Sequence, residues 1–122
     1  MSAPTAPANR HGVKVTTTDA TPTIVATLQT EADRVYHVYA RAVAIETQDH
    51  DEAACYTRVA AFYNDGGVLA QISTTEAPFT KETNAAWNCE LLAAGTVIQS
   101  RVTGAAATTI NWRVDLEVLQ LT

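Results

Sequence analysis

No run of lysine or arginine occurs anywhere in the 122 residues, and 13 acidic side chains outnumber 8 basic ones for a formal charge of -5. A nucleic-acid-binding surface needs clustered cations to displace counterions from phosphates, and this chain does not offer them. Nucleic acid is therefore set aside as a partner. No apolar stretch approaches the roughly 20 residues with which a helix spans a bilayer. Met1 to Gly12 also lacks the charged-then-apolar layout of a signal peptide. The expectation is synthesis in a cytosol, with no membrane partner.

Cysteine is nearly absent. Cys55 and Cys89 stand alone, with no CxxC and no third or fourth ligand at metal spacing. Sequence leaves a disulfide between them open, and cytosolic synthesis favours two buried free thiols. Nucleophile and phosphate motifs are missing too: there is no GxSxG, no GxGxxG and no HExxH. No catalytic, cofactor-binding or metal-ligating residue is assigned, and the chain is expected not to be an enzyme. The one ion-binding cluster to weigh is Gln48-Asp49-His50-Asp51-Glu52, with three carboxylates and an imidazole. Without a glycine to bend the chain, successive loop residues rarely converge on one ion, so it reads as a solvated loop. Asp115 and Glu117 alternate with Arg113 and read as cross-strand ion-pairing groups.

What is present is β pattern. Ile110, Trp112, Val114, Leu116 and Val118 alternate with Asn111, Arg113, Asp115 and Glu117, the strict period of two that a half-buried antiparallel strand requires. Strands are expected near 13–17, 23–28, 35–47, 54–64, 68–74, 79–83, 86–92, 96–103 and 109–121. Asn64-Asp65-Gly66-Gly67 marks a tight hairpin, and Ala94-Gly95 a second. No helical stretch of useful length is visible. The fold class is all-β: a single antiparallel β-sandwich of eight or nine strands over residues 13–122, preceded by an extended arm over 1–12 that carries Pro4 and Pro7.

Much of the 47% apolar content is alanine, which buries little area, so a thin core completed by a partner subunit is expected. Two strands have apolar residues on both faces. Leu119 and Leu121 break the parity set by Val118 and its predecessors, which means either a bulge or cover on both sides. From 35 to 45, Val35, Tyr39, Val43 and Ile45 lie on one face, and Tyr36, Val38, Ala40, Ala42 and Ala44 on the other. An antiparallel strand with two apolar faces calls for cover on both. The candidate interface residues are accordingly Pro4, Pro7, Arg10 and His11 of the arm, with Tyr36, Val38, Leu119 and Leu121. Trp87 and Trp112 read as core anchors, the tyrosines as packing or interface groups, and His37 as a core or interface histidine.

The stretch from Val15 to Thr23, the Gly66-Gly67 turn, Asn84-Ala85-Ala86-Trp87-Asn88 and above all Val102 to Trp112 (VTGAAATTINW) resemble a β-rich domain of tailed-bacteriophage structural proteins. The resemblance covers nearly all residues after 13, and its motifs are structural. It implies a jelly-roll-like sandwich in a phage virion, made in the host bacterial cytoplasm. The first expectation it carries is a homotrimeric cement or decoration protein on the capsid surface, with the major capsid protein as partner and the arm gripping the shell. The alternative is a tail or fibre module that binds host surface carbohydrate. The chain departs from the larger tail proteins in having only the proline-containing arm ahead of the domain.

Overall fold

Residues 10–122 are described by the structure, a computed structural model; Pro4, Pro7 and the rest of 1–9 lie outside the described residues, as do the side chains of Arg10 and His11. The chain forms eight strands: β1 (Arg10–Thr17), β2 (Thr23–Gln29), β3 (Arg34–Glu46), β4 (Ala53–Asp65), β5 (Val68–Glu82), β6 (Asn88–Ala94), β7 (Val97–Thr103) and β8 (Ile110–Leu121). All pairings are antiparallel. One sheet has the order β1-β8-β3-β4-β5 and the other β2-β7-β6, so β1 to β2, β2 to β3, β5 to β6 and β7 to β8 cross between layers. The fold is an all-β antiparallel sandwich.

Three details differ from the sequence expectation. The first strand begins at Arg10 rather than Val13, pairing Arg10 with Glu117. The two strands expected at 68–74 and 79–83 are one strand, β5, at the edge of its sheet. An edge strand can carry Pro78, whose missing N–H would be lost from a central ladder. The irregular stretch that looked like a break is instead a pair of register shifts against β4, with Ser73 at φ 65°, in the left-handed region used by turns and bulges. No shift interrupts the pairing of β8 with β3 out to Leu121, so Leu119 and Leu121 keep register and turn outward without a bulge.

The core shows where the alanines went. On β3 the inward residues Ala40, Ala42 and Ala44 are flanked in register by Leu116, Tyr56 and Trp112 of the neighbouring strands. Their small size lets Tyr56 and Trp112, two strands apart, meet above β3 with ring centroids 6.3 Å apart and planes within 17°. Trp87, from the segment entering β6, packs on Trp112 at 5.9 Å and 53°. The three rings fill the gap between the sheets, each 2% exposed or less. The core is thus aromatic over alanine, not merely thin.

A buried indole N–H usually finds an acceptor; that of Trp87 has none among the described residues, while that of Trp112 does. Trp112 Nε1 donates to Thr17 Oγ1 at 2.9 Å. That hydroxyl sits against Gly104, where an added Cβ would lie 2.7 Å from it and 3.0 Å from Ile110 Cδ1. The small-residue run between β7 and β8 therefore has a local cause at Gly104. The sheets are also tied by Arg58, a buried guanidinium on β4 whose Nε donates 2.9 Å to the Cys89 carbonyl of β6, while Nη1 donates to the carbonyls of Thr57 and Phe79 and to Thr80 Oγ1.

Because Ala42 lies under the Tyr56–Trp112 contact, Ala42→Leu forces the rings apart and should lower stability by about 1–3 kcal/mol or more. Chemical denaturation checks this; a variant as stable as the parent would show that the rings do not depend on the space above β3.

Candidate functional site on the outer sheet face

Successive strand side chains point to opposite faces, so the register fixes what the five-stranded sheet shows to solvent. Two rows at one end run across β8, β3, β4 and β5: Leu121, Val35, Tyr63 and Ala70, then Leu119, His37, Ala61 and Ile72. Both are apolar except for His37. Further along come Asp115, Arg41, Thr57 and Phe79, and beside them Arg113, Val43, Cys55 and Lys81. The sheet face thus has an apolar end and a mixed, polar centre.

Among the described residues, eleven large apolar side chains are exposed, and ten of them belong to this face; the other, Ile24, is on β2. Leu119 and Leu121, expected at an interface, are 69% and 70% exposed. Tyr36 and Val38, expected there too, are corrected: at 1% and 0% exposure they are core residues, because the even positions of β3 face the second sheet. His37, expected in the core or at an interface, is exposed on the outer face, which removes the core half of that expectation. The expectation of two buried thiols holds for one. Cys89 is buried and Cys55 is exposed on the outer face, and no disulfide joins them. Burial pushes the Cys89 thiol up to about 11, with Arg58 pulling against that rise.

The polar centre forms a trough of about 330 Å³ lined by Arg41, Arg113, Asp115, Thr57, Phe79 and neighbours. Arg113 Nε lies 3.3 Å from Asp115 Oδ1 along the same strand, so Asp115 pairs along β8 rather than across strands. The pair overlies Gly12 of β1, where an added Cβ would come within 2.8 Å of the Asp115 carboxylate. Arg41 is the register partner of Asp115, yet no carboxylate of the described residues reaches it within salt-bridge distance. Phe79 stands 44% exposed, with the Lys81 ammonium 5.8 Å from its ring centroid. Beneath the trough, Tyr56 donates its hydroxyl to Glu82. Burial and that carboxylate push the phenol well above its ordinary range.

The acidic loop behaves differently from its sequence reading. Glu46, at the end of β3 and unsuspected from sequence because it lies outside the 48–52 run, is brought together with Asp49 and Asp51, their carboxylate oxygens all within 4.8 Å. Both Glu46 oxygens already accept backbone N–H groups: Asp49 at 3.0 and 3.2 Å, His50 at 3.0 Å, and Gln48. His50 closes the turn at φ 56°. What this arrangement does chemically is pin a loop by a carboxylate.

No family model matches the sequence, and no curated protein matches it. Among solved structures the chain is similar to part of the tailspike protein of Acinetobacter baumannii phage AM24, with a TM-score of 0.51 and 6% identity over 88% of this chain and 26% of that one. A second is the tailspike protein gp49 of Acinetobacter baumannii bacteriophage Fri1, a capsular polysaccharide depolymerase, with a TM-score of 0.45 and 9% identity over 93% of this chain and 20% of that one. This chain spans about a quarter or less of the length of these tailspikes, and the likeness is one of fold.

The Glu46 carboxyl sits below its ordinary value: burial opposes ionisation, but the N–H groups of Asp49, Gln48 and His50, with Asp51, outweigh it. A depressed folded pKa gives stability that is complete above the ordinary value of 4.5 and is lost as pH falls through the folded one. Glu46→Gln should therefore lower the melting temperature at neutral pH, with the two proteins converging as pH falls below 4.5 and through the lower folded value. A gap of the same size at both ends of a pH series of thermal melts would contradict this role.

Proposed function

We propose that the chain is a structural and binding module of a bacteriophage tail appendage, contacting carbohydrate of the host surface. The observation that carries the reading is the fold likeness to part of a phage tailspike, spanning 88% of this chain. The sequence resemblance to phage structural domains points the same way. A capsid cement protein rests on that resemblance alone, so the tail reading has the broader support. Assembly as a homotrimer in the virion belongs to this reading. In it the chain supplies architecture and contact without catalysis.

The trough supplies groups that suit a saccharide. Guanidinium, carboxylate and hydroxyl groups bond to ring hydroxyls, and an exposed aromatic ring packs against the apolar face of a pyranose. Arg41, Asp115, Thr57 and Phe79 offer these together on a rigid sheet. A carbohydrate-binding tail module is expected to expose tryptophan or tyrosine at its loop tips. Trp87 and Trp112 are core residues instead, and Tyr39 and Tyr63 are exposed on strands.

Two measurements test the proposal. Quantitative mass spectrometry of purified virions should find the chain at a small multiple of three, as on a tail; copies comparable with the major shell protein would return the capsid reading. Binding to host surface polysaccharide should weaken at least ten-fold, about 1.4 kcal/mol, in Arg41→Ala and Phe79→Ala. Unchanged binding in both would remove the trough from the account.

A further inference from the structure

Ten exposed large apolar side chains on one sheet face need an occupant, and their arrangement indicates which. We infer that a second copy of this chain docks on the outer face of the five-stranded sheet, at the end that carries Leu119 and Leu121. The inference rests on the assembly part of the reading above and specifies the surface through which copies meet.

The first argument is area. The exposed parts of Val35, Tyr39, Tyr63, Ile72, Leu119 and Leu121 add up to roughly 600 Å², at the top of the range for the largest apolar patch on a monomer. With Val68 and the alanines between them, the patch approaches the roughly 800 Å² per partner of a standard stable interface. It is also continuous, since the two end rows cross four hydrogen-bonded strands. In a closed ring of copies such as a trimer, the apolar end of each sheet turns toward the symmetry axis and is covered by its neighbours.

The second argument is charge. The chain as a whole is acidic at -5. Among the residues whose side chains are described, its outer sheet face is not: the register places Lys14, Arg41, Lys81 and Arg113 there, balanced by Asp65, Glu76, Asp115 and Glu117. The surplus of acid lies elsewhere, as in the Glu46–Glu52 segment. Two copies of a neutral face approach without like-charge repulsion, whereas a strongly basic partner would find its complement on other surfaces. The end rows contain no aspartate, glutamate, lysine or arginine. Self-association is thus favoured by burial and unopposed by charge.

The trough lies toward the centre of the same sheet, so copies that meet through the end rows leave Arg41 and Phe79 in place for a ligand. That separation keeps the two proposals distinguishable. A chain that stays single but binds glycan and sits on the tail overturns this inference and the assembly part of the functional reading, and keeps its glycan-contact part. A chain that associates through these leucines without either signature does the opposite.

Sedimentation velocity on the full chain, from low to high micromolar, is the test. The parent should sediment as an oligomer. Leu119→Lys combined with Leu121→Lys places four or more charges in the contact and should weaken association at least about 100-fold. Ile24→Lys, on the opposite sheet, should leave it unchanged. Thermal melts at low concentration check that the variants fold, as expected for side chains already exposed in one chain. As a second probe, Leu121→Cys in a Cys55→Ser background should form an intermolecular disulfide on oxidation at concentrations where the parent associates. A parent that is monomeric throughout the range, or an oligomer insensitive to the leucine substitutions and giving no cross-link, overturns the proposal.

Discussion

Alanine at positions 42 and 44 of β3 is the constraint on which the remaining packing depends. These residues lie on the central strand of the five-stranded sheet, facing inward, with Tyr56 on one side and Trp112 on the other. Only a side chain as small as a methyl leaves room for the two rings to meet over the strand between them. Once they meet, Trp87 has a surface to pack on, and it reaches that surface from the segment that leads into the other sheet. The contact between layers thus begins with the absence of bulk on one strand. Thr17 and Gly104 follow from the same geometry, the first as acceptor for the Trp112 indole and the second as the space that the hydroxyl needs.

The inside of the sandwich is satisfied by one chain, and its outside is not. Inward positions of β3, β4 and β8 are closed to solvent almost without interruption. Outward positions of the same strands combine leucine, valine, isoleucine and tyrosine with a balanced set of charges. A soluble domain commonly shows a polar outer face on an antiparallel sheet, and its replacement by an apolar one marks a surface with a further use. Division of that surface into an apolar end and a polar trough separates assembly from ligand contact. Neither use requires a moving part, since both ends stand on hydrogen-bonded strands.

Much of the fold was legible because alternation is a local signal. The last strand could be read residue by residue, and the two faces of β3 were separated correctly into their apolar sets. Which face of β3 goes inward was not legible, because both are apolar and the deciding fact is the aromatic pair contributed by its neighbours. That is why Tyr36 and Val38 were expected at an interface and are found in the core. Leu119 and Leu121 could be seen to break parity, but only the uninterrupted register with β3 shows that no bulge is responsible. Glu46 escaped notice because its role comes from backbone N–H groups three and four residues on, which composition does not reveal. The trough escaped for a different reason: it joins residues of four strands, with Phe79 and Asp115 far apart in sequence.

The central claim is that one sheet face makes the fold and the other makes the assembly, and the four tyrosines report on it directly. Hydroxyl-radical footprinting, read by mass spectrometry on dilute and concentrated protein, measures the accessibility of each ring. Tyr36 and Tyr56 should be protected at every concentration, while Tyr63, beside Val35 in the end row, should pass from reactive to protected as copies associate. Equal reactivity of Tyr63 in dilute and concentrated samples, with Tyr36 and Tyr56 still protected, would leave the fold standing and contradict the role assigned to its outer face.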